Sequence, residues 1–399
     1  MKIIVDLHSH SPYAGASGKS DFQRLSYVMR VKGIDVYGSG DILLEKWEDE
    51  LNAAFRFDSA RSFWVIDDGQ YLIPQTEIIV TLPYEYDLSK RKLFHVVIVF
   101  AELESVRTVR KMMLARGSKL GIGRPFVKFD SCLEMQDFFA EMKRLADVLI
   151  IPAHVVTPDG ILGGKNPVDS ISEIWGRQTD LVDALESGLS ADPDMLSGIA
   201  GSLGIPVISS SDAHSAAFNR LGREFTLLDA VDCSASGVLA GIREKKVLKT
   251  AEFPPFEGRY YLTGHRGDRP GHNGEDVFFM DDPPEICPVC GKHFVEGVRQ
   301  RIQRISPAGN FKRQDFVYQI PLIEIIAESL GCGCGSGKAV RLYEKITGQV
   351  GRESNIWFDD GLLGIRDVPE KVLEGIMAVK ENRFRIKYGF DGQYGQILF

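Results

Sequence analysis

MKIIVDLHSH, residues 1–10, opens the chain with one lysine, a short apolar run and two histidines two residues apart. Ile3, Ile4 and Val5 are β-branched, so Lys2–Asp6 reads as a buried first strand. The run is too short for a membrane span and lacks the layout of a signal peptide. Side chains alternate along an extended segment, so His8 and His10 project to the same side at the strand's end. Neutral imidazoles there are normal ligands for divalent first-row metals.

The same arrangement recurs between residues 8 and 214. His95 lies in KLFHVV, His154 in IPAHVV and His214 in SSSDAHS, each at an expected strand end. Asp41, Glu77, Glu186 and Asp212 occupy equivalent stations. A single strand-end histidine is usually a packed core residue; nine such groups in one region point to a metal cluster instead. Asp212-x-His214 repeats the two-residue spacing of His8-x-His10, and Glu77 can bridge two ions. Oxygen and nitrogen donors without sulfur suit zinc, manganese or iron. We expect two or three divalent ions, zinc, manganese or magnesium, with His8, His10, Asp212 and His214 closest to the chemistry. Such a cluster can bind a phosphate oxygen and activate water, which is the chemistry of phosphoester hydrolysis.

Up to about residue 250, apolar strands alternate with amphipathic segments such as Leu133–Ala146 and Asp194–Leu203. Expected strands are Lys2–Asp6, Ile34–Gly38, Tyr71–Val80, Phe94–Phe100, Val148–Pro152, Leu181–Glu186 and Ile205–Ser210. This alternation implies an α/β fold with a mainly parallel sheet. Functional residues at the ends of nearly all seven strands favour a closed βα barrel. An open doubly wound sheet would concentrate them at one switch point.

The full 399 residues imply two or three domains, placed at 1–250, 251–315 and 316–399. Apolar content of 44% and charged content of 26% are those of a globular protein. No apolar run approaches the roughly 18 residues of a membrane helix, and nothing marks export, so a cytoplasmic location is expected. A net charge of −8 argues against coating nucleic acid by bulk charge, though not against local contacts.

Beyond residue 250 the texture changes. Cys287-x-x-Cys290-Gly is a zinc-knuckle turn that supplies half of a tetrahedral site, which Cys332 and Cys334 can complete on spacing alone. Val298–Arg313 carries Arg299, Arg301, Arg304, Lys312 and Arg313 with no acidic residue. Val298, Ile302 and Ile305 share one helical face, which leaves the arginines facing solvent and favours contact with phosphates. Pro321–Leu330 reads as a helix, followed by GCGCGSGK and a second helix, Ala339–Thr347. Ala339 stands where a P-loop needs Ser or Thr, and no strand precedes the glycines. A helix-hairpin-helix holding a phosphate through Gly333, Gly335 and Lys338 is one reading, and a purely structural turn is the other. A third helix from Pro369 and a terminal hairpin in YGFDGQYGQILF complete the chain.

DLHSH (6–10), GD (40–41), TE (76–77), PAH (152–154) and SDAH (211–214) resemble the polymerase-and-histidinol-phosphatase (PHP) superfamily. IPAHVVTPDGILGG, ALESGLSADPDM, SSSDAHSAAFNRLGRE, CPVCGK with GVRQR, IPLIEIIAESLG and YGFDGQYG resemble the endonuclease Q family over nearly the whole chain. The resemblance implies a distorted seven-stranded βα barrel with a trinuclear metal site, a small zinc-binding module and a helical C-terminal region. It implies a DNA-repair nuclease that cuts 5′ of deaminated bases or abasic sites and leaves a 3′-hydroxyl and a 5′-phosphate. It places the second zinc pair upstream, at His265-Arg266-Gly267-Asp268, so His265, Cys287 and Cys290 are expected ligands. Asp268 and His272 are candidates for the fourth. It also sets Gly123-Arg124-Pro125 at the DNA border, where Arg124 can equally be an ordinary loop arginine.

Two stretches depart from the family pattern. Leu43-Leu44-Glu45 replaces a Thr-His-Pro run, so Leu44 stands where a histidine is expected, and SPYAGASGKS (11–20) lacks the arginines usual there. Damaged DNA is the expected partner. A phosphatase for small phosphate monoesters and a barrel that binds damaged DNA without cutting are the rivals. About 150 C-terminal residues, with their knuckle, arginine-rich helix and hairpin turn, speak against the first, and the intact set of nine ligands against the second. Nothing in the chain identifies a protein partner.

Overall fold

A computed structural model describes residues 1–15, 21–67, 69–84, 89–164, 166–359 and 361–398. Residues 16–20 of the SPYAGASGKS stretch lie outside the described residues.

Lys2–Asp6 is buried along almost its whole length, as expected of an interior strand with apolar neighbours on both faces. It pairs in parallel with Val36–Gly38 and antiparallel with Phe225–Asp229. Val36–Gly38 pairs in parallel with Gln70–Ile73. A second sheet sets Gln75–Pro83 between Phe126–Lys128 and Arg91–Phe100, with Val148–Pro152 beyond. Pro74 separates Ile73 from Gln75 and marks the passage between the sheets, while its carbonyl accepts from Phe100 N at 2.9 Å. Leu185–Glu186 and Val207–Ile208 form a short parallel pair. Backbone bonds link that pair to Val148–Pro152 through Asp183 N to Ile150 O, and Ser9 bridges Ala213.

The fold is α/β, but its strands are mixed in direction rather than mainly parallel. Gln75–Pro83 and Arg91–Phe100 run antiparallel. Only residues 84–90 separate them, too few for the dozen or more residues of a parallel crossover. Arg91–Phe100 is also antiparallel to Val148–Pro152. His95, opposite Ile79, therefore sits inside a strand and not at its end.

The expected helices form where caps and apolar faces coincide. Cys132–Leu145 starts on Ser131, whose side chain accepts from Glu134 N. Pro193–Leu203 starts on Asp192, has proline in its first turn and ends at Gly204 with φ 67°. The C-terminal helices Leu322–Ser329, Gly337–Val350 and Glu370–Lys380 are joined by Glu353–Phe358, which sequence periodicity did not announce. Arg385–Lys387 and Gln396–Leu398 make the terminal hairpin.

This C-terminal region packs onto the rest. Phe316–Tyr318 adds a parallel edge to Val247–Glu252. Buried Lys32, on the first helix, places its Nζ 2.9 Å from Glu353 Oε1, and Tyr343 OH donates to Glu353 Oε2 at 2.7 Å. Every charge in that latch is paired, which a buried ion pair requires. Among the described residues no helix is long and apolar enough to cross a membrane.

Candidate metal centre

His8 and His10 follow the first strand, and their rings lie 5.2 Å apart. Ser9, between them, points away and donates to Gly38 O at 2.6 Å. Asp41, His154 and Asp212 have φ values of 46°, 31° and 46°. Non-glycine residues rarely occupy this left-handed region, and strain of this kind concentrates at functional sites.

These turns bring three overlapping donor sets together: His8, His10 and Glu77; His10, Asp212 and His214; and Glu77, His95 and His154. Glu77 is fully buried and central to them. Its Oε1 lies 3.5 Å from His8 Nε2, 3.2 Å from His154 Nε2 and 2.7 Å from His95 Nδ1. Its Oε2 lies 3.4 Å from His10 Nε2. Asp212 Oδ1 is 3.1 Å from His10 Nε2.

Glu186 and Asp41 stand behind the histidines. Glu186 Oε2 is 3.0 Å from His8 Nδ1 and accepts from His154 N at 2.9 Å. Asp41 Oδ1 is 3.4 Å from His10 Nδ1, and Asp41 Oδ2 accepts from Ser11 N at 2.7 Å. Thr157 Oγ1 holds His154 Nδ1 at 2.8 Å, and Asp212 O holds His214 Nδ1 at 3.1 Å. With each Nδ1 occupied, the Nε2 atoms are presented to the centre, as in carboxylate–histidine–metal arrangements. Thr157 was not singled out from sequence; its signal is its place three residues after His154.

The donor set fits divalent cations. His8 Nε2, His10 Nε2 and Asp212 Oδ1 are buried without a hydrogen-bond partner among the described residues, although buried polar atoms normally have one. Burial disfavours the His8 imidazolium, yet Glu186, Asp212 and Glu77 outweigh it and raise its pKa well above 6.5. For His10, burial is outweighed by Asp212, Asp41 and Glu77, and the pKa rises to about 9. Burial pushes Glu77 up, but the surrounding imidazoles hold it well below 4.5. The centre thus draws positive charge into a buried space, and metal ions can supply that charge in place of protons. Leu44 contributes no donor: it is buried in the main hydrophobic core.

The cysteine module gathers a second set. His265, His272, Cys287 and Cys290 bring their donor atoms within 4.8 Å of one another. Cys287 Sγ is 3.5 Å from His272 Nε2, and Cys290 Sγ is 3.4 Å from His265 Nδ1. His272 Nδ1 is held by Glu275 O at 2.9 Å. Two thiols and two imidazoles form a zinc-type donor set. Asp268 is not part of it, because its carboxylate is exposed and paired with Arg266 Nε at 2.8 Å. Cys332 and Cys334 are also absent from it, and Ser336 Oγ donates to Cys332 Sγ at 3.0 Å.

No family model matches the chain. It is 25% identical to the uncharacterized protein YqxK of Bacillus subtilis (strain 168) across 99% of both chains. It is 28% identical to the uncharacterized protein MJ0043 of Methanocaldococcus jannaschii over 58% of this chain and 30% of that protein. Among solved structures, the lesion-specific endonuclease PfuEndoQ from Pyrococcus furiosus superposes with a TM-score of 0.85 at 29% identity. That match covers 100% of this chain and 96% of the other. This chain is similar to endonuclease Q along its whole length. A second endonuclease Q structure, in complex with a 27-mer duplex carrying an abasic lesion at the active site, gives 0.82, also at 29% identity. It covers 100% of this chain and 97% of the other.

The cationic residues singled out from sequence divide into three groups against this endonuclease Q frame. Arg124 reaches the metal centre, with Nη1 3.4 Å from Glu77 Oε2. Gly123 permits this approach, since a Cβ there would lie 2.6 Å from Ala14 N and 2.8 Å from Asp41 Oδ2. The arginines of Val298–Ile305 do not stand free in solvent. Arg301 is buried, donates to Leu162 O at 2.9 Å and Val168 O at 2.6 Å, and pairs with Asp169 at 2.8 Å. Arg304 pairs with Glu296 at 3.0 Å, and Arg299 with Asp281 at 3.0 Å. All these partners lie outside the helix, so its three arginines each meet a carboxylate that the sequence pattern did not show; Arg313 pairs with Asp194 at 3.2 Å and Lys312 is exposed. Gly333 and Gly335 remain exposed, and Lys338 Nζ caps the preceding helix at Leu330 O, 2.8 Å away.

Proposed function

We propose that this chain is a metal-dependent DNA-repair endonuclease acting in the cytoplasm. Its substrate is duplex DNA, and it hydrolyses the phosphodiester 5′ of a deaminated base (uracil, hypoxanthine or xanthine) or an abasic site. The carrying observation is the triple donor set around Glu77 in a chain similar to endonuclease Q from end to end. On this reading the strands that surround the set correspond to a distorted seven-stranded barrel of PHP type, and His265, His272, Cys287 and Cys290 would hold one structural zinc.

Two or three divalent ions, zinc, manganese or magnesium, would be held by His8, His10, Glu77, His95, His154, Asp212 and His214. Bound there, they supply Lewis-acid stabilisation and a nucleophilic water at neutral pH. Glu186 and Asp41 hold Nδ1 of His8 and His10 and turn their Nε2 atoms toward the centre, where bound metal would take the place of the second proton. Arg124 carries a positive charge to the rim, where a phosphate oxygen can meet it. Gly333, Gly335 and Lys338 offer exposed backbone amides and a cation for a more distant phosphate.

The test is incubation of the metal-loaded protein with end-labelled duplexes bearing one uracil, hypoxanthine or abasic site. A single cut 5′ of the lesion with a 3′-hydroxyl end supports the proposal. Turnover of a small phosphate monoester without any incision favours a phosphatase. Tight binding to the lesion duplex without a cut favours a non-cleaving reader of damage.

A further inference from the structure

Arg223 is half-buried beside the metal centre. Its Nε donates to Ser211 O at 2.8 Å, which fixes the guanidinium plane next to Asp212. Asp212 is the charged group that acts on it most strongly. Among the described residues nothing bonds its terminal nitrogens, Nη1 and Nη2. Other arginines drawn into the fold are closed by a carboxylate: Arg110 by Glu48 at 2.7 Å, Arg243 by Asp147 at 2.7 Å and Arg301 by Asp169 at 2.8 Å.

Asp212 does not play that part for Arg223. Its Oδ1 faces His10 Nε2 at 3.1 Å and belongs to the donor set shared with His10 and His214. Arg223 instead lines a cavity of about 660 Å³ together with His154, Asp212, Asn219 and Tyr261. Withdrawing a guanidinium from water is unfavourable unless an anion meets it. Two parallel N–H groups with no partner, aimed into a cavity beside a metal centre, match the oxygens of a phosphate.

We propose that Arg223 is a catalytic residue that grips two oxygens of the phosphate through Nη1 and Nη2 as it enters the centre from this cavity. It is a second guanidinium, separate from Arg124, and its backbone tether to Ser211 sets it in place before substrate arrives. Preorganised donors of this type are worth roughly 10²- to 10³-fold in rate.

The inference rests on reading the site as one that hydrolyses a phosphodiester, so two measurements keep the claims apart. The first is the affinity of metal-loaded wild type, Arg223→Ala and Arg223→Lys for inorganic phosphate, with metal content determined alongside. Arg223→Ala should keep its metals and bind phosphate at least about tenfold more weakly, with Arg223→Lys between the two. The second is incision of an abasic duplex, which Arg223→Ala should slow roughly 10²- to 10³-fold, with partial recovery on adding guanidinium ion. Phosphate affinity within about twofold of wild type in Arg223→Ala would overturn the assignment. So would loss of metal from both variants, since Arg223 would then be a brace for the Asp212 turn. Weakened phosphate binding in a protein whose wild type cuts no lesion duplex would sustain Arg223 and sink the endonuclease reading instead.

Discussion

Glu186 Oε2 lies 3.0 Å from Nδ1 of His8, and on the far side of the same ring His8 Nε2 is buried without a hydrogen-bond partner. One carboxylate thus sets the tautomer and aim of an imidazole that itself faces the centre. Glu186→Gln should lower the affinity of the site around Glu77 for divalent metal by roughly 10- to 100-fold while leaving the fold intact. Metal content after dialysis at graded free-metal concentrations, read with circular dichroism, checks this. Wild-type affinity in the variant would remove Glu186 from the centre.

Asp212→Ala and His8→Ala each remove a donor from the site, not from any surface that grips DNA. Both should abolish incision of a lesion duplex and hold the duplex within a few-fold of wild-type affinity. Gel-shift and cleavage assays on one preparation give both numbers. Normal cutting by either variant means that the site lies elsewhere.

His272, and not Asp268, is placed to complete the zinc set. His272→Ala and Cys287→Ser should lose a tightly held zinc ion that Asp268→Ala retains, as judged by zinc released to a chelator. Loss of the zinc should also loosen the module, because binding free energy at such sites is folding free energy.

Arg301 bonds two backbone carbonyls and a carboxylate contributed by residues 162, 168 and 169. Arg301→Ala strands those acceptors and should cost about 2–4 kcal/mol of stability by denaturant melting. The salt dependence of DNA binding should not change. A flatter salt dependence would return Arg301 to the phosphate contacts expected from its sequence context.

Lys92 Nζ is buried and donates to Gly160 O at 3.0 Å and Gly163 O at 2.6 Å, with no carboxylate in the bond. Burial, reinforced by Arg301, pushes its pKa down from 10.5 to about 7. Between those values the unfolded chain binds the extra proton and the native state does not, so this group makes stability rise with pH. Its penalty is fully present below pH 7 and is relieved progressively above it. Wild type should gain up to about 2.7 kcal/mol relative to Lys92→Met between pH 7 and pH 9. Parallel pH profiles for the two proteins would show that Lys92 titrates normally.

The centre was legible where local spacing carries the information. His8-x-His10 and Asp212-x-His214 keep each pair of donors within two residues, so each pair reaches one cluster, although Asp212 does so from a left-handed turn with φ 46° that its spacing does not announce. Strand direction was harder to read. Leu93–Val99 is apolar enough for either sense, and the antiparallel return that puts His95 inside its strand is dictated by the short connection before it. The partners of Arg301 lie more than 130 residues away in sequence, so no local window can show that its charge is neutralised. His272 lies in the loop between the paired strands Thr263–His265 and Val277–Phe279, and Cys287 lies beyond them, so their approach at 3.5 Å is a product of the folded module. Arg223 escaped notice because its meaning lies in bonds its terminal nitrogens do not make.

The most direct measurement is the incision rate of metal-loaded protein on a duplex with a single abasic site, against the same duplex undamaged and against a phosphate monoester. The expected result is a cut 5′ of the lesion, no cut in undamaged duplex, little monoester turnover, and loss of incision in Asp212→Ala. Monoester turnover with an intact lesion duplex would contradict it.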